Sequence, residues 1–332
     1  MVLRNRLTPA VADVRRAVRD ALVELDLEQG ARILVACSGG PDSLALAAAT
    51  AFEAPKLGLL VAACVVDHGL QAGSDEIARQ ALLRLEALGL DPVVIESVSV
   101  KKDSSGLEAA ARTARYQALE QARNLVGAEL VVLGHNLEDQ AETVLIGLTR
   151  GSGLKSISGM QLLDADKKLL RPLLGLKREL LRQSCIDQDI LFWDDPHNKD
   201  ERFTRVRVRN LLDKMETELG PGFAEALSRT AEIATESEDA ISNAVSELLT
   251  VAVQLDSEGN HLVSISALES KPYGIRRKLL FEVAVQAGGK GVSRTQVLGI
   301  DELITNWHGQ IKLVLSGITV ERVNQKLVFT GQ

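Results

Sequence analysis

The sequence predicts an α/β protein: a doubly wound, Rossmann-like parallel sheet followed by a smaller C-terminal α+β domain. Short apolar runs alternate with helix-forming segments as far as residue 150. These runs are continuously apolar, which is typical of strands in a parallel sheet that is covered on both faces. The alternation then stops, and Gly220-Pro221-Gly222 marks a break further along. We expect one domain over residues 1–215 and a second over residues 216–332.

The first domain is predicted to contain four parallel strands and the helices that connect them. The strands are Arg32–Ala36, Leu59–Val66, Pro92–Val98 and Glu129–Leu133. The helices are Asp42–Phe52, Asp75–Leu88, Gly106–Val126 and Glu138–Thr149. Right-handed crossovers between such strands place helices on both faces of the sheet.

The pattern beyond residue 150 is less regular. Leu162–Leu174 is interpreted as a hairpin that turns at Asp164–Lys167, and Phe223–Leu255 as one long helix or a helix pair. Further helices are predicted at Leu176–Gln188, Phe203–Met215, Tyr273–Ala287 and Ser293–Thr305. Short strands are predicted near Ile311–Leu315, Thr319–Val323 and Lys326–Phe329.

Composition excludes several classes of protein. The chain has 332 residues, of which 45% are hydrophobic and 25% charged, as in soluble globular proteins. The longest nearly apolar run, Leu57–Val66, is too short to span a bilayer. The three cysteines form no CxxC pair, which argues against a disulfide framework or a zinc site. With no signal peptide visible, we expect a cytoplasmic protein without membrane association.

Charge is unevenly distributed along the chain. The net charge is −7, yet residues 271–332 carry nine basic and four acidic side chains. This basic segment, with Arg276, Arg277 and Lys278 close together, is compatible with local binding of phosphate groups. The alternative is an ordinary solvated surface with uneven charge.

The most informative motif follows the first predicted strand and opens the first predicted helix. It consists of Ser38, Gly39, Gly40, Pro41, Asp42 and Ser43. Glycines let backbone N–H groups point inward, and the helix N-terminus adds to an anion site. Asp42 would repel a bare phosphate, but it suits a Mg²⁺ ion that bridges to phosphate oxygens. The chain contains no Walker A motif.

Polar residues also follow other predicted strands and lie on one predicted helix. Asp139 and Glu142 share a helical face and form a carboxylate pair suited to an ammonium group, with one able to accept its proton. The alternatives are a Mg²⁺ site, or a helix start capped by Asn136. His135 at a strand end is expected to contact nucleotide or substrate.

Two groups of arginines complete the candidate site. Arg112 and Arg115 lie on one face of their helix, where they could neutralise pyrophosphate or simply form surface ion pairs. Arg205, Arg207 and Arg209 alternate along another helix. At least one of them is expected to face a carboxylate or a phosphate.

These motifs together resemble the tRNA(Ile)-lysidine synthetases, a family within the N-type ATP pyrophosphatases. The loop at 38–43 is similar to the pyrophosphate loop of that superfamily. The family itself is indicated by Asp67-His68-Gly69-Leu70, Gly134-His135-Asn136 through Thr143, Leu170-Arg171-Pro172-Leu173 and Phe203-Thr-Arg205-Val-Arg207-Val-Arg209. The sequence departs from the family pattern at Glu138, at His197 and over Lys155–Ser158.

The resemblance implies an enzyme that uses ATP and Mg²⁺ to join L-lysine to C2 of the wobble cytidine in the isoleucine tRNA with a CAU anticodon. It implies a catalytic domain at 1–215 and a tRNA-binding domain at 216–332, with a homodimer as a candidate assembly. Asp42, Asp139, Arg112 and Arg205 would be catalytic, and Asp42 would hold Mg²⁺. The 38–43 loop, Asp67, His68 and His135 would bind ATP. Asp139, Glu142 and Arg205 would bind lysine. The implied tRNA contacts are Arg207, Arg209, Arg276, Arg277 and Lys278.

Two other functions are compatible with parts of this sequence. A tRNA thiolase of the same superfamily would need sulfur-carrying cysteines or an iron–sulfur site, and the three cysteines lie far apart in sequence. A non-catalytic nucleotide- or tRNA-binding protein could retain the fold without the chemistry. The presence of Asp42, Asp139 and Glu142 together argues against such a degenerate site.

Overall fold

A computed structural model describes residues 7–67, 73–98, 107–151, 153–194, 200–309 and 312–331. The predictions for His68 and His197 therefore lie outside the described residues. The chain divides into two compact units, Met1–Glu232 and Ile233–Gln332. The boundary between the units falls within a long helix, further along the chain than Gly220–Gly222.

The first unit is built on a six-stranded, mostly parallel sheet. Its strands are β1 (Arg32–Cys37), β2 (Leu60–Asp67), β3 (Val93–Ser97), β4 (Leu130–Val132), β5 (Leu163–Asp164) and β6 (Leu169–Leu170). The strand order is β3-β2-β1-β4-β6-β5, and β5 is antiparallel to β6. The predicted α/β class and the predicted hairpin are thus confirmed.

Helices cover both faces of this sheet. They are α1 (Pro9–Glu24), α2 (Pro41–Glu53), α3 (Ser74–Ala87), α4 (Leu107–Leu125), α5 (Leu137–Arg150), α6 (Leu154–Ile157), α7 (Arg178–Ile186) and α8 (Thr204–Leu219). One core joins α1, α2, α3 and α7 to a sheet face through Val18, Leu46 and Leu85. A second core joins α4 to the opposite face through Leu119 and Val131. The fold is therefore doubly wound, as the sequence predicted.

Helix α1 is absent from the sequence-based prediction. Thr8 accepts a hydrogen bond from the backbone N–H of Val11, and Pro9 occupies the first helical turn, so both standard start signals were present. Val14, Val18 and Leu22 are almost fully buried against the sheet. Their spacing is that of an apolar helix face.

The long helix α9 (Phe223–Ala252) is one continuous helix rather than a pair. The remaining helices are α10 (Ile265–Leu268), α11 (Tyr273–Gln286) and α12 (Arg294–Thr305). The strands of the second unit are β7 (Val253–Leu255), β8 (His261–Ser264), β9 (Leu313–Leu315), β10 (Ile318–Val323) and β11 (Lys326–Gly331). These strands form an antiparallel sheet in the order β7-β8-β11-β10-β9.

The second unit has its own apolar core. Phe329 and Val320 from the sheet are fully buried together with Leu280 and Ile300 from α11 and α12. The sequence predicted the last three strands but missed β7 and β8. Among the described residues, no helix is both long enough and apolar enough to cross a bilayer.

Candidate active site

The candidate site lies at the carboxyl ends of β1 and β4, which are parallel neighbours in the sheet. The chain order runs outward from β1 through β2 and β3 on one side, whereas β4 pairs on the other side. The strand order therefore reverses at β1, and a doubly wound sheet has its ligand crevice at such a point. The 38–43 loop follows β1, and His135 and Asn136 follow β4.

The loop after β1 is held in a defined conformation. Gly39 has a φ of +79°, a left-handed conformation that glycine adopts without strain. Its carbonyl accepts a hydrogen bond from the Trp193 N–H at 2.9 Å. Ser43 donates its hydroxyl to the Gly40 carbonyl at 3.0 Å and accepts the Ser38 N–H at 3.2 Å. Pro41 then begins α2, whose N-terminus favours an anion.

Gly134 allows the chain after β4 to lie directly against this loop. A Cβ at Gly134 would sit 3.1 Å from the Asp42 carbonyl oxygen and 3.2 Å from Ser43 Cα. Such contacts with backbone atoms are too tight for a side chain to be accommodated without movement. The two halves of the site are therefore packed backbone against backbone.

The two carboxylate oxygens of Asp42 have different surroundings among the described residues. Asn136 Nδ2 donates to Asp42 Oδ2 at 3.0 Å, and Arg178 Nε lies 3.7 Å from the same oxygen. Oδ1 is buried and has no hydrogen-bond partner within the described part of the chain. Burial raises the pKa of Asp42 to about 6, with the charges of Asp139 and Glu138 adding to the rise and that of Arg178 opposing it.

Asp139 caps its own helix as well as contributing charge to the site. Its backbone N–H donates to Asn136 Oδ1 at 2.9 Å, and its Oδ2 accepts the Asn136 N–H at 3.1 Å. Its Oδ1 lies 3.3 Å from Arg178 Nη2. The capping alternative left open by the sequence is therefore present, and one carboxylate oxygen still faces the site.

Glu142 is the most deeply buried acid of the group. Its side chain is 0% exposed, and Oε1 accepts a hydrogen bond from Arg209 Nε at 2.8 Å. Burial raises the pKa of Glu142, and the Arg209 guanidinium opposes that rise. Oε2 is buried without a hydrogen-bond partner among the described residues. The guanidinium of Arg209 thus engages Glu142, and the tRNA contact predicted for Arg209 stays a prediction.

Arg178 is the residue of the site that sequence reasoning missed. Its guanidinium approaches the carboxylates of Asp42, Asp139 and Glu142 at 3.7, 3.3 and 3.8 Å. Its backbone N–H donates to Glu138 Oε2 at 3.0 Å. It begins α7, far from the other site residues in sequence, and its segment resembles many basic helix starts. Only the fold brings it to the acids.

A second cluster, which we call the cationic cluster, consists of arginines whose charges act on His135. It contains Arg112, Arg115, Arg171 and Arg205. His135 is 8% exposed, and its Nδ1 is buried without a hydrogen-bond partner in the described structure. Burial, followed by the charges of these arginines, lowers the pKa of His135 well below its usual value. The imidazole is therefore neutral and the surroundings favour a polyanion.

Three other residues of the first unit were predicted to belong to the site, and the structure gives each a different environment. Asp67 ends β2, next to β1. Arg112 donates through Nη2 to the Tyr116 hydroxyl at 3.2 Å. Arg207 is exposed and folds back onto the Glu201 carbonyl at 2.8 Å.

Arg276 does not have the exposure that a phosphate contact needs. It is 3% exposed, and its Nε donates to Asp301 Oδ1 at 2.5 Å. Arg277 Nε also donates to Asp301, at 2.8 Å, while Lys278 pairs with Glu238. The prediction for Arg276 is corrected, because its guanidinium is buried in an ion pair. The predictions for Arg277 and Lys278 stay predictions.

The site's donors fit a Mg²⁺ ion that is shared with a substrate. Asp42 Oδ1 is a buried carboxylate oxygen without a hydrogen-bond partner among the described residues, and oxygen is the ligand that Mg²⁺ prefers. Within the described ranges, no group of three or more His, Cys, Asp or Glu side chains could hold a metal. A Mg²⁺ ion at Asp42 would therefore complete its shell with phosphate oxygens and water.

Comparison with known proteins identifies the family. A family model described as the PP-loop domain matches residues 11–216. The chain is 46% identical to the tRNA(Ile)-lysidine synthase of Leifsonia xyli subsp. xyli, over 91% of both chains. It is 44% identical to the tRNA(Ile)-lysidine synthase of Thermobifida fusca, over 93% of this chain and 94% of the relative.

A solved structure supports the fold alone. The U34-tRNA thiolase NcsA of Methanococcus maripaludis, solved with its 4Fe-4S cluster, matches with a TM-score of 0.57 at 18% identity. The match covers 68% of this chain and 80% of the thiolase. With the loop after β1, the acids around Arg178 and relatives matched over nearly their whole length, the chain belongs to the tRNA(Ile)-lysidine synthase family of PP-loop proteins.

Proposed function

We propose that the protein is a ligase that joins L-lysine to C2 of the wobble cytidine in the isoleucine tRNA bearing a CAU anticodon. In the first step the C2 oxygen attacks the α-phosphorus of ATP, and pyrophosphate leaves. In the second step the lysine ε-amine attacks C2, and AMP leaves with the oxygen. Two clusters at the carboxyl ends of β1 and β4 carry this proposal: the cationic cluster, and the acidic cluster, which consists of Asp42, Asp139 and Glu142 around Arg178.

The loop and the cationic cluster suit the first step. Backbone N–H groups at the start of α2 and the arginines of the cationic cluster would stabilise the negative charge that develops on pyrophosphate. Mg²⁺ held by Asp42 and phosphate oxygens would neutralise charge on the nucleotide. Neutral His135 has one donor and one acceptor nitrogen: with the proton on Nε2, its Nδ1 accepts a hydrogen bond, and with the proton on Nδ1, that atom donates one. Nδ1 has no hydrogen-bond partner among the described residues, so it is available to a ligand in either tautomer.

The acidic cluster suits the second step. Glu142 Oε2 and Asp139 offer carboxylate oxygen to an ammonium group. The amine must lose a proton before it attacks, and the raised pKa of Glu142 makes this carboxylate a competent acceptor. Arg205 belongs to the cationic cluster and would bind the lysine carboxylate.

The cysteines do not favour the thiolase alternative. Cys37, Cys64 and Cys185 are buried and unpaired. Burial raises the pKa of each thiol, to about 12 for Cys64 and Cys185. Thiolates carry the sulfur chemistry of cysteine, and these positions suppress the thiolate.

AMP release measures the proposed reaction directly. Purified protein with Mg²⁺-ATP should release AMP only when both lysine and the CAU isoleucine tRNA are present, whereas this tRNA without lysine should allow no more than one equivalent of pyrophosphate per adenylated tRNA. The methionine tRNA, which carries the same anticodon, serves as the control RNA. AMP formation that needs neither lysine nor RNA would contradict the proposal, and nucleotide binding without turnover would favour a non-catalytic binding protein. We further propose that the reaction takes place in the cytoplasm.

A further inference from the structure

A cavity of about 500 Å³ lies beside α4, on the sheet face opposite α2. Its floor is formed by Leu119, Val131 and Leu169, which are 1%, 1% and 4% exposed. Helix α4 forms one wall and the β5–β6 hairpin forms the other. We call this cavity the α4 groove. Its volume falls within the range of small-ligand pockets.

The charge of the α4 groove is opposite to that of the whole chain. Five basic side chains and two acidic ones line it, on a protein with a net charge of −7. The basic residues are Arg112, Arg123, Lys167, Lys168 and Arg171. Such a local excess of positive charge attracts anions.

Arg171 gives the groove a donor that the protein does not satisfy. The residue is 5% exposed, and its Nη1 donates to the Gln161 carbonyl at 2.8 Å. Its Nε is buried and has no hydrogen-bond partner within the described residues. The Asp164 carboxylate is 3.9 Å from Nη2, too far for a hydrogen bond. Buried donors normally have partners, so Arg171 adds an incompletely satisfied cation to the lining of the groove.

The α4 groove begins at the candidate active site. Arg112 and Arg171 line the groove and also belong to the cationic cluster that acts on His135. From Arg112 to Arg123 the helix rises by about 16 Å. The ring of Tyr116, 5.0 Å from the Arg112 guanidinium, adds an aromatic surface between them. A ligand that enters the site could therefore continue along the groove.

We propose that the α4 groove binds the sugar–phosphate backbone of the substrate RNA next to the nucleotide that enters the active site. The inference rests on the proposed function, since it assumes an RNA substrate. The apolar floor and Tyr116 suit a base, and the basic rim suits the adjoining phosphates. These contacts position the RNA and carry no sequence information.

One variant that combines two charge substitutions tests this inference. Gln117 and Lys168 are exposed, line the α4 groove and lie outside the cationic and acidic clusters. Gln117→Glu combined with Lys168→Glu should weaken binding of an RNA hairpin with a CAU loop by about tenfold or more. The slope of log affinity against log salt should also fall by about 1 for each phosphate that the variant no longer neutralises. Affinity for Mg²⁺-ATP should stay unchanged.

The control is Arg19→Glu on α1, which packs on the other face of the sheet and has a half-exposed side chain. It reverses one charge and should leave hairpin binding intact. Equal hairpin affinity in wild type and double variant would overturn the inference. The inference would also be overturned if the double variant bound free AMP or pyrophosphate more weakly but the hairpin as well as wild type. That result would indicate a site for a small nucleotide. If hairpin binding depends on the groove but the wild-type protein ligates no lysine, the proposed function is contradicted and the proposal for the groove still stands.

Discussion

Asn136 Nδ2 donates a hydrogen bond to Asp42 Oδ2 at 3.0 Å, across 94 residues of sequence. Asn136 is fully buried and also caps α5, so its position is fixed by the helix start. The bond ties the loop after β1 to the loop after β4. Asp42 Oδ1 has no hydrogen-bond partner in the part of the chain that the structure describes, so it is available to a ligand. We therefore expect substitutions around this bond to have separate effects on activity and on stability.

Asp42→Asn should separate activity from stability. The amide oxygen can still accept from Asn136, but the charge that suits Mg²⁺ is lost. We expect lysine-dependent AMP release to fall by about 100-fold or more.

The same variant should make the ligand-free protein more stable near neutral pH. The folded pKa of Asp42 is about 6, above its ordinary value of 3.8, so the carboxylate is destabilising once it ionises. This cost is absent below about pH 4 and grows as the pH rises through 6, reaching on the order of 2 kcal/mol. The Tm difference between Asp42→Asn and wild type should therefore shrink as the pH falls from 7 to 4. A Tm difference that does not change with pH would contradict this assignment.

Arg178→Ala should disturb three carboxylates at once. Without the guanidinium, Asp42, Asp139 and Glu142 repel each other across a partly buried site. We expect a loss of about 2 kcal/mol in the free energy of unfolding and a large fall in kcat. Arg178→Lys should restore part of the stability, because it keeps the charge but not the fork geometry. Urea denaturation and steady-state kinetics measure the two effects, and wild-type behaviour of the alanine variant would refute the role of Arg178.

Gly134→Ala should impair the site through its backbone. The added Cβ would press on the carbonyl of Asp42 and on Ser43 Cα, so the loop must shift. We expect a cost of about 1–3 kcal/mol and a higher KM for ATP. Gly175→Ala is the matched control, since a Cβ there meets nothing within 4 Å. Equal Tm and equal KM in the two variants would show that the close approach at Gly134 has no consequence.

Glu142 and Arg209 should be energetically coupled. Arg209→Ala leaves a fully buried carboxylate without its 2.8 Å partner, which we expect to cost about 3 kcal/mol. Glu142→Gln in the Arg209→Ala background should recover part of that loss. A double-mutant cycle on unfolding free energies measures the coupling, and additive effects would contradict it.

Arg276→Ala should destabilise the second unit. It should leave the salt dependence of tRNA affinity unchanged, because a buried guanidinium does not neutralise a phosphate. Burial acts to raise the pKa of Asp301, but the hydrogen bonds from Arg276 and Arg277 hold that pKa below its usual value. Removing Arg276 leaves a poorly compensated buried carboxylate, at a cost of about 3 kcal/mol. The exposed Arg294 provides the control, and Arg294→Ala should leave the Tm unchanged. An unchanged Tm for Arg276→Ala, together with a smaller slope of log tRNA affinity against log salt concentration, would show that Arg276 binds a phosphate.

Most of the first unit could be predicted because its local patterns agree with its tertiary structure. The apolar runs that became β1, β2 and β4 are bounded by turn residues and are buried on both faces. In contrast, β7 and β8 are short and partly exposed, so their sequences carry little apolar signal. The helix start at Thr8 and Pro9 carried a signal that was overlooked.

The loop, the acids and three arginines of the cationic cluster, Arg112, Arg115 and Arg205, carry a signal in the sequence, whereas Arg178 does not. The 38–43 loop has a distinctive composition, and Asp139 and Glu142 follow helical spacing. Arg178 has no local signal, because its role depends on α7 packing beside α2 and α5. The ion pairs of Arg209 with Glu142 and of Arg276 with Asp301 could not be predicted either, because a basic sequence pattern does not show whether a guanidinium lies against a buried acid.

Transfer of labelled lysine to RNA tests the central claim most directly. The protein would be incubated with Mg²⁺-ATP and labelled L-lysine, and with either the CAU isoleucine tRNA or the methionine tRNA. We predict stable label on the isoleucine tRNA alone, located at the wobble cytidine, and its loss in Asp42→Asn but not in Gly175→Ala. No label on either RNA, in the presence of demonstrated ATP binding, would contradict the assignment of this site as a lysine–cytidine ligase.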